Sequence, residues 1–541
     1  MGGDQMGEAI RGRRLSRRDL IRLTGATAIG VAGANVLAAC TPGATPQGTA
    51  TPTSGTPVPS GPKRLIWGAA ATALRLDPMT SSQTVDLQVF DSIYDTLTWR
   101  LPNNELVPRA ATEWRLANDT TWQFKLRPGI RWHNGDPFTA EDVKYTFERA
   151  IDPDGPSIRR ASFSLLQGVE VVDDLTVNFV MRSPDPLWPS RLTAQGAWLV
   201  PARYHQEVGA EEFERQPVGT GPFKFVEHVR NDHITIEANE DYWDGVPNAE
   251  DIRISAIPEA SARITALVDT DETNFTDIVP FDLVQRVEQG ATTKIVDVRQ
   301  RGYYTITPNH AVAPLGDPRI RQALSLAIDR PTIVDGLMRG RASIPNGFIP
   351  EEDFAYDGSL TPLAYDPQRA RDLLREAGYA NEEIFIETQR NILLDNEQQV
   401  SEAVIAMWKD VGINGVLELL EPAVRAEKNR LRNWKGTFTS YFTSVLADPD
   451  GFMWRTLQPN GGLNHSWVNE EFFALGREAG TSFDENLRRR NYERMNQIYR
   501  DELPTIALLE ATHGFGMKQY IDFTPGPVTS VDFRRDNLQF R

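Results

Sequence analysis

From Thr41 to Pro62 the chain reads TPGATPQGTATPTSGTPVPSGP. This stretch has no charged and no aromatic residue, and Val58 is its one branched aliphatic. Such a composition buries too little apolar surface to offset the entropy of ordering, so residues 40–62 read as a flexible tether. The tether divides a short leader from a long body. From Lys63 the composition turns globular: across the chain 40% of residues are hydrophobic and 9% aromatic. A body reaching residue 541 is too long for one core, so two or three lobes are expected. No run in that body approaches the roughly 20 apolar residues of a membrane-spanning helix.

The leader, residues 1–39, reads as an export signal. Arg11, Arg13, Arg14, Arg17, Arg18 and Arg22 precede a short, small-residue apolar segment, Leu23 to Ala39. Ser16-Arg17-Arg18-Asp19-Leu20 resembles a twin-arginine motif, and Leu37-Ala38-Ala39-Cys40 resembles the lipobox that precedes an acylated cysteine. Cys40 is the single cysteine, so a disulfide framework and a multi-cysteine metal site are both excluded. Lipidation at Cys40 would hold the body at the outer face of a cell membrane, or in a periplasm.

The whole chain carries a formal net charge of −17. Six arginines and three acids in residues 1–39 make that leader +3, so the remainder carries −20 (−17 less +3). Phosphate contacts need clustered Lys and Arg, so nucleic acid is not an expected partner.

In the body, helix-like and strand-like segments mix. Thr121 to Leu126 alternates with period two and reads as a strand, followed by a turn at Arg127-Pro128-Gly129. Thr139 is placed to cap a helix with Val143, Phe147 and Ala150 on its apolar face. Ile234 to Ala238 is a second strand. Asp317-Pro318 and Asp366-Pro367 each open an amphipathic helix with an acidic cap and proline in the first position. The second of these stops at Gly378.

Several segments then become recognisable together. Arg127 to Val143, RPGIRWHNGDPFTAEDV, resembles a signature of the extracellular solute-binding proteins of family 5, the oligopeptide-, dipeptide- and nickel-binding proteins of ABC importers. Four further segments agree in order. They are Tyr94 to Leu97 with Pro108 to Trp114; Pro217 to Phe223 leading to Asn239 to Trp243; Asp317 to Arg330; and Asp366 to Tyr379. The resemblance implies a two-lobed α/β fold of periplasmic-binding-protein type, with a hinge of two crossovers and the ligand enclosed between the lobes. Carried onto this chain, one lobe is residues 63–300 with 511–541, and the other is 301–510. The implied role is capture of a peptide or similar small polar solute for a membrane permease, by a monomer without cofactor or metal. A metal chelate or an oligosaccharide is the alternative cargo.

The motifs themselves read as structural. Gly219 and Gly221 lack the Lys-Ser/Thr pair of a phosphate loop and suit a tight turn. Trp122, Trp132 and Trp243 read as core residues. For the ligand, the resemblance places an acidic partner for a peptide amine near Asp448-Pro449-Asp450. In one alignment the acidic slot falls on Val445 and the partner is missing; with a shortened loop Asp448 fills it; Asp448 is equally suited to a turn before proline. Phe442 and Thr443 are expected in the cleft wall, and Asn464 either reaches the ligand from its loop or holds a turn. An enzyme is not expected: the body has no HExxH, no GxSxG and no cysteine nucleophile. His228 and His233 lie five apart, a spacing without metal-site character. A receptor or adhesin built on the same fold is not separated from a transport protein by sequence.

Overall fold

The computed structural model describes residues 63–193, 196–389, 396–444, 446–526 and 531–541. The expectations for the leader, Cys40 and the tether lie outside the described residues, as does Val445. Among the described residues, no helix is long and apolar enough to cross a membrane.

The body is a two-lobed mixed α/β structure built on one twisted sheet that both lobes share. Beginning in the second lobe, the sheet runs through strands Asn414–Leu419, Glu383–Thr388, Thr437–Thr443 and Gly302–Pro308 to the long strand Ile506–Lys518. It continues into the first lobe through Phe275–Thr276, Arg64–Ala69, Asp251–Ala256, His233–Ala238 and Phe223–Val229. Thr293–Arg299 pairs with the long strand from the first-lobe side.

The lobes are joined at two places. The chain leaves the strand Thr293–Arg299, turns at Gln300 and Arg301, and enters Gly302–Pro308, all of whose residues are buried. Arg301 sits in the left-handed region, at φ 50°, a conformation that β-carbon sterics disfavour for a non-glycine residue. Gly302 is required by a close approach: a Cβ there would lie 1.8 Å from the Phe442 carbonyl oxygen. The second join is the strand Ile506–Lys518. Its residues Ile506 to Leu509 pair with Gly302–Pro308, and Thr512 to Lys518 pair with Thr293–Arg299. The border expected at 510/511 therefore falls inside an unbroken strand, where its partners change.

Each lobe has its own apolar core. The first lobe holds Leu65, Trp67, Phe90, Ile234, Ile252 and Phe275 around its part of the shared sheet. A second core in the same lobe fills the space between a four-stranded antiparallel sheet (Ala111–Asn118, Thr121–Leu126, Thr176–Met181, Leu166–Asp173) and the helix Ala140–Ile151. The other lobe centres on Tyr303, Phe348, Phe452, Tyr492 and Tyr499.

Local signals act as the sequence suggests. Thr139 and Asp142 form a reciprocal capping box at the start of Ala140–Ile151. Asp317 and Asp366 each accept a backbone N–H in the first turn of their helices, and Gly378 ends the second helix at φ 72°.

Candidate functional site

Two cavities open between the lobes. The larger, about 670 Å³, is lined on the first-lobe side by Ser162, Ser164, Ser183, Asp185, Trp188 and Arg191. Its second-lobe side is made by Ser444, Leu446, Asp450, Trp454, Arg455, Gln458, Arg477 and Thr481. The smaller, about 310 Å³, has Arg100, Leu187 and Ser190 on one side and Phe354, Leu446, Asp448, Phe483 and Arg488 on the other. Leu446 lines both, so they are adjoining parts of one cleft. A cavity of several hundred Å³ suits a small-molecule or short-peptide ligand.

An ion pair crosses the cleft. Arg191 of the first lobe donates to Asp185 at 2.7 Å and to Asp450 of the second lobe at 2.8 Å. Burial alone would lower the Arg191 pKa, but the two carboxylates outweigh it and raise it. Asn104 also reaches across, donating to the Glu352 carbonyl at 2.9 Å, and Trp122 meets Phe483 with ring centroids 6.2 Å apart. Trp122 therefore faces the other lobe and is only partly buried, whereas Trp132 is fully enclosed.

Asp448 is 4% exposed and belongs to the wall of the smaller cavity. Both of its carboxylate oxygens accept from one guanidinium nitrogen of Arg488, at 2.9 Å each, and one also accepts the Asp450 N–H at 3.0 Å. Burial raises its pKa to about 6 even beside that arginine. Any ligand amine would have to displace or share Arg488. Asn464 has its amide spent within its own loop, donating to the Leu457 carbonyl at 2.9 Å and accepting from the Trp467 N–H at 3.0 Å. Of its two expected roles, this geometry is that of the turn-holding one. Phe442 and Thr443 end the strand Thr437–Thr443 opposite Tyr303 and Gly302. Neither lines either cavity, and the wall begins at the next residue, Ser444.

Sequence reasoning missed a buried charge cluster under the cleft. Asp353 is 6% exposed and neither of its carboxylate oxygens has a hydrogen-bond partner. Burial raises its pKa to about 8; Arg301 pulls it down, while Asp448 and Glu510 push it up. Arg301, 1% exposed at the interlobe turn, uses Nε to donate to Glu352 at 3.0 Å and leaves both terminal nitrogens without an acceptor. Glu510, on the shared strand, is raised by burial to about 7. No periodic or motif signal marks these residues, which come from three distant parts of the chain.

The recognisable motifs meet elsewhere. Asp95 is fully buried and accepts from the Tyr242 hydroxyl at 3.0 Å, the Trp243 indole at 2.9 Å, Thr220 at 3.2 Å and Arg534 at 2.8 Å. His133 of the longest motif bonds through Nε2 to the Gly221 carbonyl at 3.0 Å and lies against Gly219. Gly219 and Gly221 have no positive φ, and the backbone bends through Thr220 to Pro222 just before the strand Phe223–Val229. A Cβ at either would collide with the Ile93 backbone, at 1.9 Å and 2.6 Å. His233 bonds to Glu227 and Asp232, at 2.9 Å each, and among the described residues no group of three or more potential metal ligands occurs.

Residues 105–464 match the sequence model of the bacterial extracellular solute-binding proteins, family 5 Middle. This chain belongs to the family 5 solute-binding proteins. Among its relatives is the glutathione-binding protein of Pectobacterium atrosepticum, 30% identical over 59% of this chain and 62% of that protein. The dipeptide-binding protein of Escherichia coli is 24% identical over 83% of this chain and 90% of its own length. Among solved structures, the substrate-binding protein CtaP of Listeria monocytogenes superposes with a TM-score of 0.79 at 22% identity, covering 88% of this chain and 99% of that one. As a family 5 protein, this chain binds a solute.

Proposed function

We propose that the protein captures a peptide or similarly sized polar solute between its lobes and delivers it to the permease of an ABC importer, without chemical change to the cargo. The observation that carries this reading is the 670 Å³ cavity whose lining comes from both lobes. A ligand held on two sides favours the closed arrangement, and its differential affinity sets how far the equilibrium shifts. Relatives named for dipeptide and glutathione binding support a peptide as cargo. Export and acylation at Cys40 complete the proposal, because a tethered binding protein works beside the permease it serves. Metabolic labelling with a fatty acid, lost in Cys40→Ser, checks that part.

The cargo is tested by thermal denaturation of the purified protein with short peptides, oligosaccharides and metal chelates. A ligand at 100 times its Kd stabilises the native state by about 2.7 kcal/mol. Peptides alone raising Tm is the expected result; a shift with oligosaccharides or chelates alone rejects the peptide reading.

A further inference from the structure

The larger cavity holds five ionisable residues: Asp185, Arg191, Asp450, Arg455 and Arg477. The two acids are already committed, since both accept from Arg191. Arg455 follows the π-helical turn Asp450–Trp454, and Arg477 lies on the helix Glu470–Thr481. Neither guanidinium has a carboxylate within ion-pair distance among the described residues. In a chain of net charge −17, these three arginines and two aspartates give the cavity a formal excess of one positive charge, with Arg455 and Arg477 the two cations outside the Arg191 ion pairs.

Other lining groups can add donors. Trp188 is fully buried in the wall, and its indole N–H has no acceptor. Hydroxyls of Ser162, Ser164 and Ser183 stand on the opposite, first-lobe side. An ammonium group would find no free acid here, and in the adjoining cavity Asp448 is held by Arg488. A carboxylate meets the reverse situation: each guanidinium offers a planar fork of donors that matches its two oxygens.

We propose that the bound solute is an organic carboxylate whose anionic group is met by Arg455 and Arg477 and whose acceptors are completed across the cleft by the first-lobe serines. This rests on the reading that the interlobe cavity is the ligand site. It goes further in making the anionic end the recognised end, with a free amine dispensable. Anion binding from one lobe with hydrogen bonds from the other also ties charge recognition to lobe closure.

The test uses three probes on the purified protein by isothermal titration: N-acetylated tripeptides with a free carboxylate, the same tripeptides amidated at the C-terminus with a free amine, and citrate as a non-peptide carboxylate. Acetylated acids should bind, and amidation should weaken binding about 10- to 100-fold, the range of a charged hydrogen bond. R455Q and R477Q, both at exposed positions, should keep the apo Tm and lose a similar factor for the acids. Amides binding as tightly as acids, or variants holding acids like the wild type, overturns the inference. Citrate binding without either peptide rejects peptide as cargo while supporting carboxylate recognition. Absence of carboxylate-dependent binding across the panel overturns it as well.

Discussion

Two clusters of buried charge, one in the first lobe and one at the lobe junction, are built in opposite ways. Around Asp95 the carboxylate is fully engaged: four groups converge on it, and Arg534 is shared between Asp95, Tyr242 and Asp532. Around Asp353 the account is open. Its two oxygens and the terminal nitrogens of Arg301 are enclosed without partners. A buried polar network that is fully satisfied specifies a fold, whereas an unsatisfied one is costly and persists where function or motion needs it. The recognisable motifs belong to the first kind, and the lobe junction to the second.

The largest way to break this contrast is Asp95→Ala. It takes away one of the two carboxylates that hold buried Arg534 and leaves the Trp243 and Thr220 donors without their acceptor, and losing one partner of a buried ion pair costs about 3–5 kcal/mol. Urea denaturation should show that loss, while the remaining folded protein keeps its ligand affinity, since none of the Asp95 partners lines either cavity. A native-like midpoint would mean the network is dispensable.

Asp353→Asn should act in the opposite direction. The folded carboxyl keeps its proton to about 8, against 3.8 for an ordinary aspartate. The folded state therefore binds the extra proton between those values, and wild-type stability falls as pH rises through that window. The amide removes this decline and should be more stable than wild type at pH 8 by about 1–3 kcal/mol, the cost of one unsatisfied buried group. Equal pH profiles for the two proteins would show that Asp353 has a partner in solution.

The smallest effect sharpens the comparison at the interlobe ion pair. Asp450→Asn leaves Arg191 with Asp185 as its remaining carboxylate but keeps an amide oxygen able to accept, so the loss of stability should be smaller than for Asp95→Ala. Small-angle scattering of the ligand-free variant should show a larger radius of gyration. An unchanged radius would mean that other contacts hold the lobes together.

Local chemistry was readable from the sequence. Asp317-Pro318, Asp366-Pro367 and Thr139 cap helices where expected because caps depend on a few adjacent residues. The two-lobed fold followed from the ordered motifs. The reason for Gly219 and Gly221 was not readable, because the atom they avoid belongs to Ile93, over a hundred residues away. The site was less legible still. The Arg191–Asp450 pair joins residues 259 apart, and Arg488 meets Asp448 from a helix 40 residues on. Phe442 and Thr443 missed the wall by one or two residues, because where a strand stops and its loop turns inward is set by tertiary packing. Asp353 carries no pattern at all; its importance comes from burial without a partner.

The strand Ile506–Lys518 has a consequence for how the protein is made. It supplies a central strand to a sheet whose other members come from residues 64–69, 275–276, 293–299 and 302–308. A nascent chain emerging from its N-terminus holds the first lobe's sheet unfinished until residues 506–518 arrive. Domains usually fold one after another as they emerge, but here the earlier lobe waits for the later one to be synthesised. Strand pairing over such sequence distances is slow, so closing the shared sheet is expected to be a late step in folding.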